Sequence, residues 1–336
     1  MKKIFLFALA AAAITVACQK NQEATVDHVN DGNLVEIKFS TNVAVETKAA
    51  VTSLDGLDLY VYGLNITKDG KREIINEPAT CSAPASVTGE TTADLTLTAG
   101  PFYYNGNSDQ YDFYGYYLGG LTPAAPFDKT NVSADITIDG TNDILLAKAL
   151  SADAGTADGY CGKSARANVH PNLKFEHVLS QFKFAAINLG GNEMSLSAIT
   201  VETPVTGTVT VAGTSAGVVG KDDEGTIPVA MDELTLTSKS TVTDPQESDY
   251  DKVVSDASES NVMVFPDVDY NLLLTVKQGT ETRTLRVAVT DDIVAGHSYL
   301  FQIKLYSLEE VKITASLVDW TVETINLDTG NAEEVE

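Results

Sequence analysis

The sequence predicts an all-β protein made of two sandwich-type domains. Val, Thr, Leu and Ile dominate its 336 residues, and Gly, Asn and Asp interrupt the apolar segments at short intervals. Apolar and polar residues alternate in most segments, which is the period of a half-buried strand, and no helical period persists over more than about two turns. The length suits about two domains. We therefore expect two β-sandwiches rich in short strands.

The N-terminus carries an export signal. A lysine pair precedes the unbroken apolar residues 4–14, and Cys18 follows directly after Ala17. A charged start, a short apolar run and a small residue at the break describe a secretory signal peptide, and the run is too short to span a bilayer. A cysteine at the cut resembles a bacterial lipoprotein signal. We expect residues 1–17 to be removed and Cys18 to be lipidated; the alternative is an ordinary signal peptide that happens to hold a cysteine.

The clearest alternation in the chain lies in residues 34–46. Polar or small residues separate a series that predicts one buried face: Val35, Ile37, Phe39, Thr41, Val43 and Val45. At about 3.3 Å per residue the strand would be roughly 40 Å long, and its apolar face must be covered. We expect an edge strand that covers an apolar groove of the first domain.

Lys48 and Ala49 follow this strand among small residues. Burial of five apolar side chains contributes at most roughly 8–15 kcal/mol, which equals the whole stability of an ordinary domain. A protease that cuts after Lys48 and releases the strand would therefore leave a groove that needs a strand from another molecule. The alternative is that residues 34–46 are simply the first strand and that Lys48 lies on the surface of the next loop.

Further alternating segments predict strands in both halves of the chain. They are residues 57–62, 94–98, 135–139, 272–276, 284–289 and 298–306. Residues 272–289 form a predicted hairpin, because Gly279 suits the turn between its two strands. Residues 153–171 are rich in Ala, Gly, Ser and Asp, so we predict one domain over residues 49–170 and another over residues 171–336.

The C-terminal region offers a candidate donor strand. Apolar residues alternate from Val311 to Leu317, the phase then shifts at Val318, and a polar, acidic tail ends the chain. The candidate donor residues are Val311, Ile313, Leu317, Trp320, Val322, Ile325 and Leu327. The alternative for Trp320, the only tryptophan, is a place in the core of the last strand.

Composition excludes several function classes. The net charge of −25 repels phosphate backbones, so nucleic acid is not an expected partner. No HExxH, GxSxG or P-loop pattern occurs, so we predict neither an enzyme nor a cofactor. Acidic loop clusters are expected to be solvated, and no metal site is predicted.

Cys81 and Cys161 can pair after export or remain free thiols. Tyr111–Tyr117 could stack on sugars, although aromatic residues that alternate along a strand more often fill a core.

With these features assembled, the chain resembles the fimbrillin family of lipoproteins, the subunits of type V pili of anaerobic bacteria. The likeness spans nearly the whole chain, and the order and spacing of short motifs carry it. The motifs are Cys18, residues 35–49, 111–117, 143–147, 177–181 and 317–320.

The resemblance implies two tandem Greek-key, transthyretin-like β-sandwiches. It implies that Cys18 anchors the precursor in the outer membrane and that the Lys48–Ala49 bond is cut. The strand of Val35, Ile37, Phe39, Val43 and Val45 would then leave, and the C-terminal strand of a neighbouring subunit would fill the groove. The partners would be other copies of the chain and other fimbrial subunits in a surface fimbrium, with host glycans or proteins as adhesion targets.

One residue departs from the family pattern. The basic residue before the cut is often arginine in the family, whereas this chain has Lys48. An arginine-specific protease would leave the chain uncut and lipid-anchored, which suits a basal anchor of the pilus. A monomeric surface lipoprotein that binds glycans is the other alternative.

Overall fold

The computed structural model describes residues 34–43, 54, 56–67, 71–81, 93–128, 131–255, 258–259, 261–317, 327–329 and 333–334. Several predicted site residues lie outside these ranges: Cys18, Val45, Lys48, Ala49, Trp320, Val322 and Ile325. Strands make up 50% of the structure and helices 4%, so the all-β prediction is confirmed. Among the described residues, no helix is long and apolar enough to cross a membrane.

The first part of the described chain contains strands of five to ten residues and one short helix. The strands are β1 (Phe39–Val43), β2 (Leu59–Asn65), β3 (Arg72–Cys81), β4 (Ala93–Leu97), β5 (Tyr111–Tyr117), β6 (Ser133–Thr137), β7 (Leu145–Ala149) and β8 (Asn172–His177). A 3-10 turn at Ser151–Asp153 and helix α1 (Gly162–Arg166) lie between β7 and β8.

The remaining elements form the second part of the described chain. They are β9 (Ser180–Asn188), β10 (Met194–Thr203), β11 (Thr206–Thr210), β12 (Gly217–Gly220), β13 (Gly225–Pro228), β14 (Leu234–Leu236), a 3-10 turn (Glu247–Asp249), β15 (Asp251–Lys252), β16 (Val254–Ser255), β17 (Ser258–Glu259), β18 (Val262–Val264), β19 (Tyr270–Gln278), β20 (Glu281–Val289), β21 (Ser298–Leu305), β22 (Val311–Leu317), β23 (Leu327–Thr329) and β24 (Glu333–Glu334).

Seven strands of the first part close into a barrel in the order β1-β4-β3-β2-β5-β7-β8. Neighbours are antiparallel except β1 and β8, which run parallel where the barrel closes. The interior is aromatic, and Gly115 lets Phe175 lie close to β5, since a Cβ there would come within 2.6 Å of that ring. Strands of the first half thus close into one barrel, and the tandem Greek-key sandwiches that the resemblance implies stay a prediction. The barrel also includes β8, which lies beyond the predicted domain boundary at residue 170.

Two larger sheets dominate the second part. One has the order β13-β10-β19-β20-β24, and the other has the order β15-β9-β21-β22-β23. The predicted hairpin of residues 272–289 is confirmed, since Leu272 pairs with Val287 and Leu274 pairs with Leu285. These residues share one apolar core with Phe301 of the other sheet.

The apolar core continues from the barrel into the larger sheets. The outward side chains of Tyr62, Tyr114 and Leu146 belong to the same buried cluster as the second part. In addition, β6 pairs with β11 over five residues, which joins a strand of each half. Leu34–Glu336 thus form one compact unit. The predicted division into two domains near residues 153–171 stays a prediction, because two domains that fold separately can also pack together.

Candidate functional site

Strand β1 lies in a slot between two neighbours. It pairs antiparallel with β4, where Phe39 is opposite Leu95, and parallel with β8, where Thr41 is opposite Leu173. The prediction of an edge strand is therefore wrong: the chain that returns at β8 closes the barrel on the far side of β1. The alternation of apolar and polar residues could not reveal this neighbour. A strand with one buried face has the same pattern at the edge of a sheet and inside a barrel.

Among the described residues, the segment that precedes β1 has backbone partners on one side only. The Ile37 amide donates to the Phe102 carbonyl (2.8 Å), and the Tyr104 amide donates to the Val35 carbonyl (2.9 Å). Between Phe39 and Val43 the same segment gains β8 as its second neighbour. The regular strand consequently begins at Phe39 and not at residue 34, and the predicted residues 44–46 lie outside the described residues.

The inward face of this segment confirms the predicted alternation from Val35 to Thr41. Ile37 and Phe39 are each 5% exposed, and Val35 packs on the same buried cluster. The Phe39 ring meets Phe113 of β5 edge-to-face, with 5.0 Å between ring centroids. Such a pair contributes about 0.5–1.5 kcal/mol beyond the area that it buries.

Thr41 gives the inward face a polar position. Its side chain is fully buried, and its hydroxyl donates to the Leu173 carbonyl of β8 at 2.8 Å. A buried hydroxyl needs such a partner, and β-branched threonine suits a strand. Sequence reasoning placed Thr41 on the apolar face but assigned it no role. The signal was a polar residue at an inward position of an otherwise apolar series.

Release of β1 would expose substantial apolar surface. Ile37 and Phe39 alone bury side chains that contribute about 1.5–3 kcal/mol each, or roughly 3–6 kcal/mol together. The Thr41 hydrogen bond adds about 0.5–1.5 kcal/mol. Since ordinary domains have only about 5–15 kcal/mol of stability, an empty slot would be costly. A replacement strand would also need to pair with both β4 and β8.

The candidate donor residues divide into two groups. Val311 and Ile313 lie in β22, are 2% exposed and belong to the core of their own chain, against which Leu317 also packs. Donation of these residues would require the sheet that holds them to open, and their donor role stays a prediction. Leu327 instead begins β23, which pairs with the edge of β22 through Leu327–Ala315 and Thr329–Ile313. Departure of β23 would therefore separate only one strand pairing among the described residues, whereas departure of β22 would separate it from both neighbours in its sheet.

The sequence motifs of residues 143–147 and 177–181 are in contact where the barrel adjoins the larger sheets. The His177 Nδ1 lies 2.9 Å and 3.1 Å from the two carboxylate oxygens of Asp143, and both side chains are almost completely buried. Four residues further on, the Gln181 side-chain carbonyl accepts a hydrogen bond from the Ser298 hydroxyl at 2.9 Å. Sequence reasoning noted both motifs but not their contact, because no local spacing links residues 34 positions apart.

The aromatic run of β5 is core rather than a sugar platform. Tyr111 and Phe113 point into the barrel, while Tyr114 and Tyr116 pack on its outer side, and all four are buried. Burial raises the pKa of Tyr111 to about 12, although the Asn105 amide donates to its hydroxyl. The interpretation that this run fills a core is thus confirmed.

Metal and thiol chemistry gain no support from the part of the chain that the structure describes. No group of three or more His, Cys, Asp or Glu residues there could hold a metal ion. Cys161 is a free thiol, and its sulfur caps α1 by accepting from the Ser164 amide. The geometry offers one notable site, the slot that β1 occupies.

Comparison with known proteins identifies the family. The Fimbrillin-like family model matches residues 36–320. Similar solved structures include a proposed cell adhesion protein from Bacteroides uniformis ATCC 8492 (17% identity, TM-score 0.53, covering 87% of this chain and 99% of that one). Another is from Bacteroides ovatus ATCC 8483 (17%, TM-score 0.50, 87% and 99%). A fimbrial assembly protein from Parabacteroides distasonis ATCC 8503 has a TM-score of 0.48 at 12% identity, covering 88% and 100%.

At these identities the structural likeness concerns the fold alone. No curated protein matches the chain. The family model, in contrast, spans most of the sequence, from the segment that enters β1 to Trp320, and it confirms the resemblance drawn from the sequence motifs. The chain therefore belongs to the Fimbrillin-like family.

Proposed function

We propose that this chain is a structural subunit of a cell-surface fimbrium that supports adhesion. It is exported as a lipoprotein on Cys18 and held at the outer membrane. A protease then cuts after Lys48, the segment that contains β1 leaves, and the C-terminal strand of another subunit takes its place. The partners are other copies of the chain and other fimbrial subunits. Two domains of the transthyretin-like, Greek-key type are part of the same proposal.

The observation that carries this proposal is the placement of β1. It completes the barrel, its segment buries Phe39 and Thr41 together with Ile37 just before it, and it lies only a few residues before Lys48. A single cut there would disconnect a strand that has neighbours on both sides. An occupant of the vacated slot gains main-chain hydrogen bonds along two edges, which favours a long-lived joint between subunits.

Family membership supports a structural role. The family is fimbrial and adhesive rather than enzymatic, in agreement with the prediction that the chain is not an enzyme. Similar proteins are described in terms of cell adhesion and fimbrial assembly. Location in a surface fimbrium follows from the same proposal.

Controlled cleavage tests the function. Residues 44–50 of the full-length chain are replaced by the recognition sequence of a site-specific viral protease, so that other lysines and arginines are spared. Before the cut, the protein should be monomeric. After the cut, it should form ladders that resist mild detergent, while a matched chain with a scrambled recognition sequence remains monomeric.

Two results would count against the proposal. Cut, folded protein that stays monomeric at high concentration would exclude strand donation by this chain, and an anchor or a glycan-binding role would take precedence. Ladders that form equally well from the scrambled chain would show that assembly does not depend on release of β1.

A further inference from the structure

The slot has an inward pattern that any occupant must match. Ile37, Phe39 and Thr41 are spaced by two residues and all are buried, so the slot takes an aliphatic, a large apolar and a hydroxyl side chain in that order. The hydroxyl position is the most selective, because the Leu173 carbonyl accepts the hydrogen bond from Thr41 inside the barrel. An occupant without a hydroxyl at this position would leave that carbonyl short of one partner.

The C-terminal tail repeats this pattern. Residues 37–41 read Ile-Lys-Phe-Ser-Thr, and residues 325–329 read Ile-Asn-Leu-Asp-Thr. The first and last inward residues are identical, and Leu327 stands where Phe39 stands. The residues between them are polar in both segments, as a solvent-facing side requires.

We propose that Ile325, Leu327 and Thr329 of a second copy occupy the positions of Ile37, Phe39 and Thr41 once β1 has left. The Thr329 hydroxyl then donates to the Leu173 carbonyl in place of Thr41 and fixes the register of the joint. This inference rests on the proposed function and adds to it the residues that recognise the slot.

Two other registers of the tail place a threonine at the hydroxyl position. That of Thr321 is excluded, because it brings the charged Asp319 to the apolar place of Phe39. The remaining one aligns Thr324 with Thr41, which brings Val322 to the place of Phe39 and Trp320 to the place of Ile37. A tryptophan in a site that holds isoleucine overpacks it, whereas leucine in place of phenylalanine leaves room that neighbouring side chains can fill in part. Side-chain volume therefore favours the register of Thr329.

Part of the tail pairs with its own chain as β23, but the slot offers a strand more backbone pairing than this edge does. In β23, Leu327–Thr329 pair with a single neighbour, β22, over three residues. In the slot a strand pairs with β4 over three residues and with β8 over four. Exchange from the edge to the slot adds a second row of main-chain hydrogen bonds.

One pair of like charges opposes insertion of the tail into the slot. Asp328 would take the place of Ser40 and lie opposite Asp94, and like charges that face each other across strands are unfavourable. Salt screens such a pair, so joint formation should increase with ionic strength.

The first test uses the full-length chain with the site-specific cleavage sequence described above. Thr329→Val removes the hydroxyl at nearly constant volume and should lower the equilibrium constant of joint formation about tenfold, which corresponds to about 1.4 kcal/mol. Thr329→Ser keeps the hydroxyl and should remain within about twofold of the unaltered chain, as should the matched control Thr324→Val. An effect of Thr324→Val with none of Thr329→Val would overturn the proposed register.

The second test maps the register directly. Ser40 lies beside Asn172, with its hydroxyl 3.3 Å from the Asn172 side-chain oxygen. Asn172→Cys combined with Asp328→Cys should therefore give an intermolecular disulfide in cut ladders, identified by mass spectrometry of the linked peptides. The same Asn172→Cys with Glu323→Cys tests the register of Thr324 and should not cross-link. If the unaltered cut chain forms no ladder, the proposed function fails; if ladders form but cross-link through position 323, only this inference fails.

Discussion

Phe39→Ala is expected to destabilise the uncut chain but not the assembled one. In the uncut chain Phe39 is 5% exposed and packs edge-to-face on Phe113 at 5.0 Å. Truncation of a buried phenylalanine costs about 3–5 kcal/mol, and the closed barrel around it limits the collapse of the cavity. After the cut the strand that carries residue 39 is gone, so the substitution should no longer affect stability.

Denaturant unfolding provides the assay. At a slope of about 2–3 kcal/mol per M of urea, a loss of about 3–5 kcal/mol shifts the unfolding midpoint of the barrel by about 1–2.5 M. The fluorescence of a tryptophan introduced at Phe102, beside the segment, would report on the barrel. Leu274→Ala in β19 is the matched control, since Leu274 is fully buried in the larger sheets and should cost stability before and after the cut.

Two outcomes would refute this reasoning. A shift below about 0.3 M in the uncut chain would mean that the slot contributes little to the stability of the barrel. An undiminished effect of Phe39→Ala in purified ladders would mean that the strand remains in its slot after cleavage, and donor-strand exchange would be excluded.

Three further predictions concern the barrel and its junction. His177→Ala leaves the buried Asp143 carboxylate without its imidazole partner and should cost about 2–4 kcal/mol, measured by urea unfolding, with His297→Ala at a half-buried position without an ion pair among the described residues as control. Gly115→Ala brings a methyl group within 2.6 Å of the Phe175 ring and should cost about 1–3 kcal/mol, whereas Gly120→Ala meets no neighbour and should cost only its left-handed backbone strain. Because burial raises the pKa of Tyr111 to about 12, the folded state retains the phenolic proton where the unfolded state loses it. Its contribution to stability should be complete below about pH 10 and lost between about pH 10 and 12, and Tyr111→Phe should flatten that part of the pH profile.

The sequence predicts the local structure of this protein well, because alternation of apolar and polar residues is a local signal. The inward series from Val35 to Thr41 and the hairpin that turns at Gly279 follow directly from it. The same pattern at Val311 and Ile313 correctly indicated buried residues. It could not indicate that they are buried in the core of their own chain and not in that of a second subunit. Alternation identifies the buried face of a strand but not the element that covers it.

Long-range pairing is what the sequence could not supply. The parallel contact of β1 with β8 joins residues about 130 positions apart, and it converts the expected edge strand into an internal one. The pairing of β6 with β11 and the contact of His177 with Asp143 likewise depend on the way the barrel closes. Thr41 could have been singled out earlier, as the one polar residue on an otherwise apolar face, but its partner carbonyl becomes evident only once β8 is in place.

The N-terminal residue of the chain in assembled fimbriae shows whether β1 has left the joined subunits. Detergent-resistant fimbriae are collected from the cell surface, and the subunits are sequenced from their N-terminus after heating in denaturant. We expect a start at Ala49, with residues 18–48 absent and β1 therefore gone from every joined subunit. A lipid-modified start at Cys18 in subunits within the shaft would contradict strand exchange. In such subunits β1 would still be attached, so the strand of another subunit could not have replaced it after a cut.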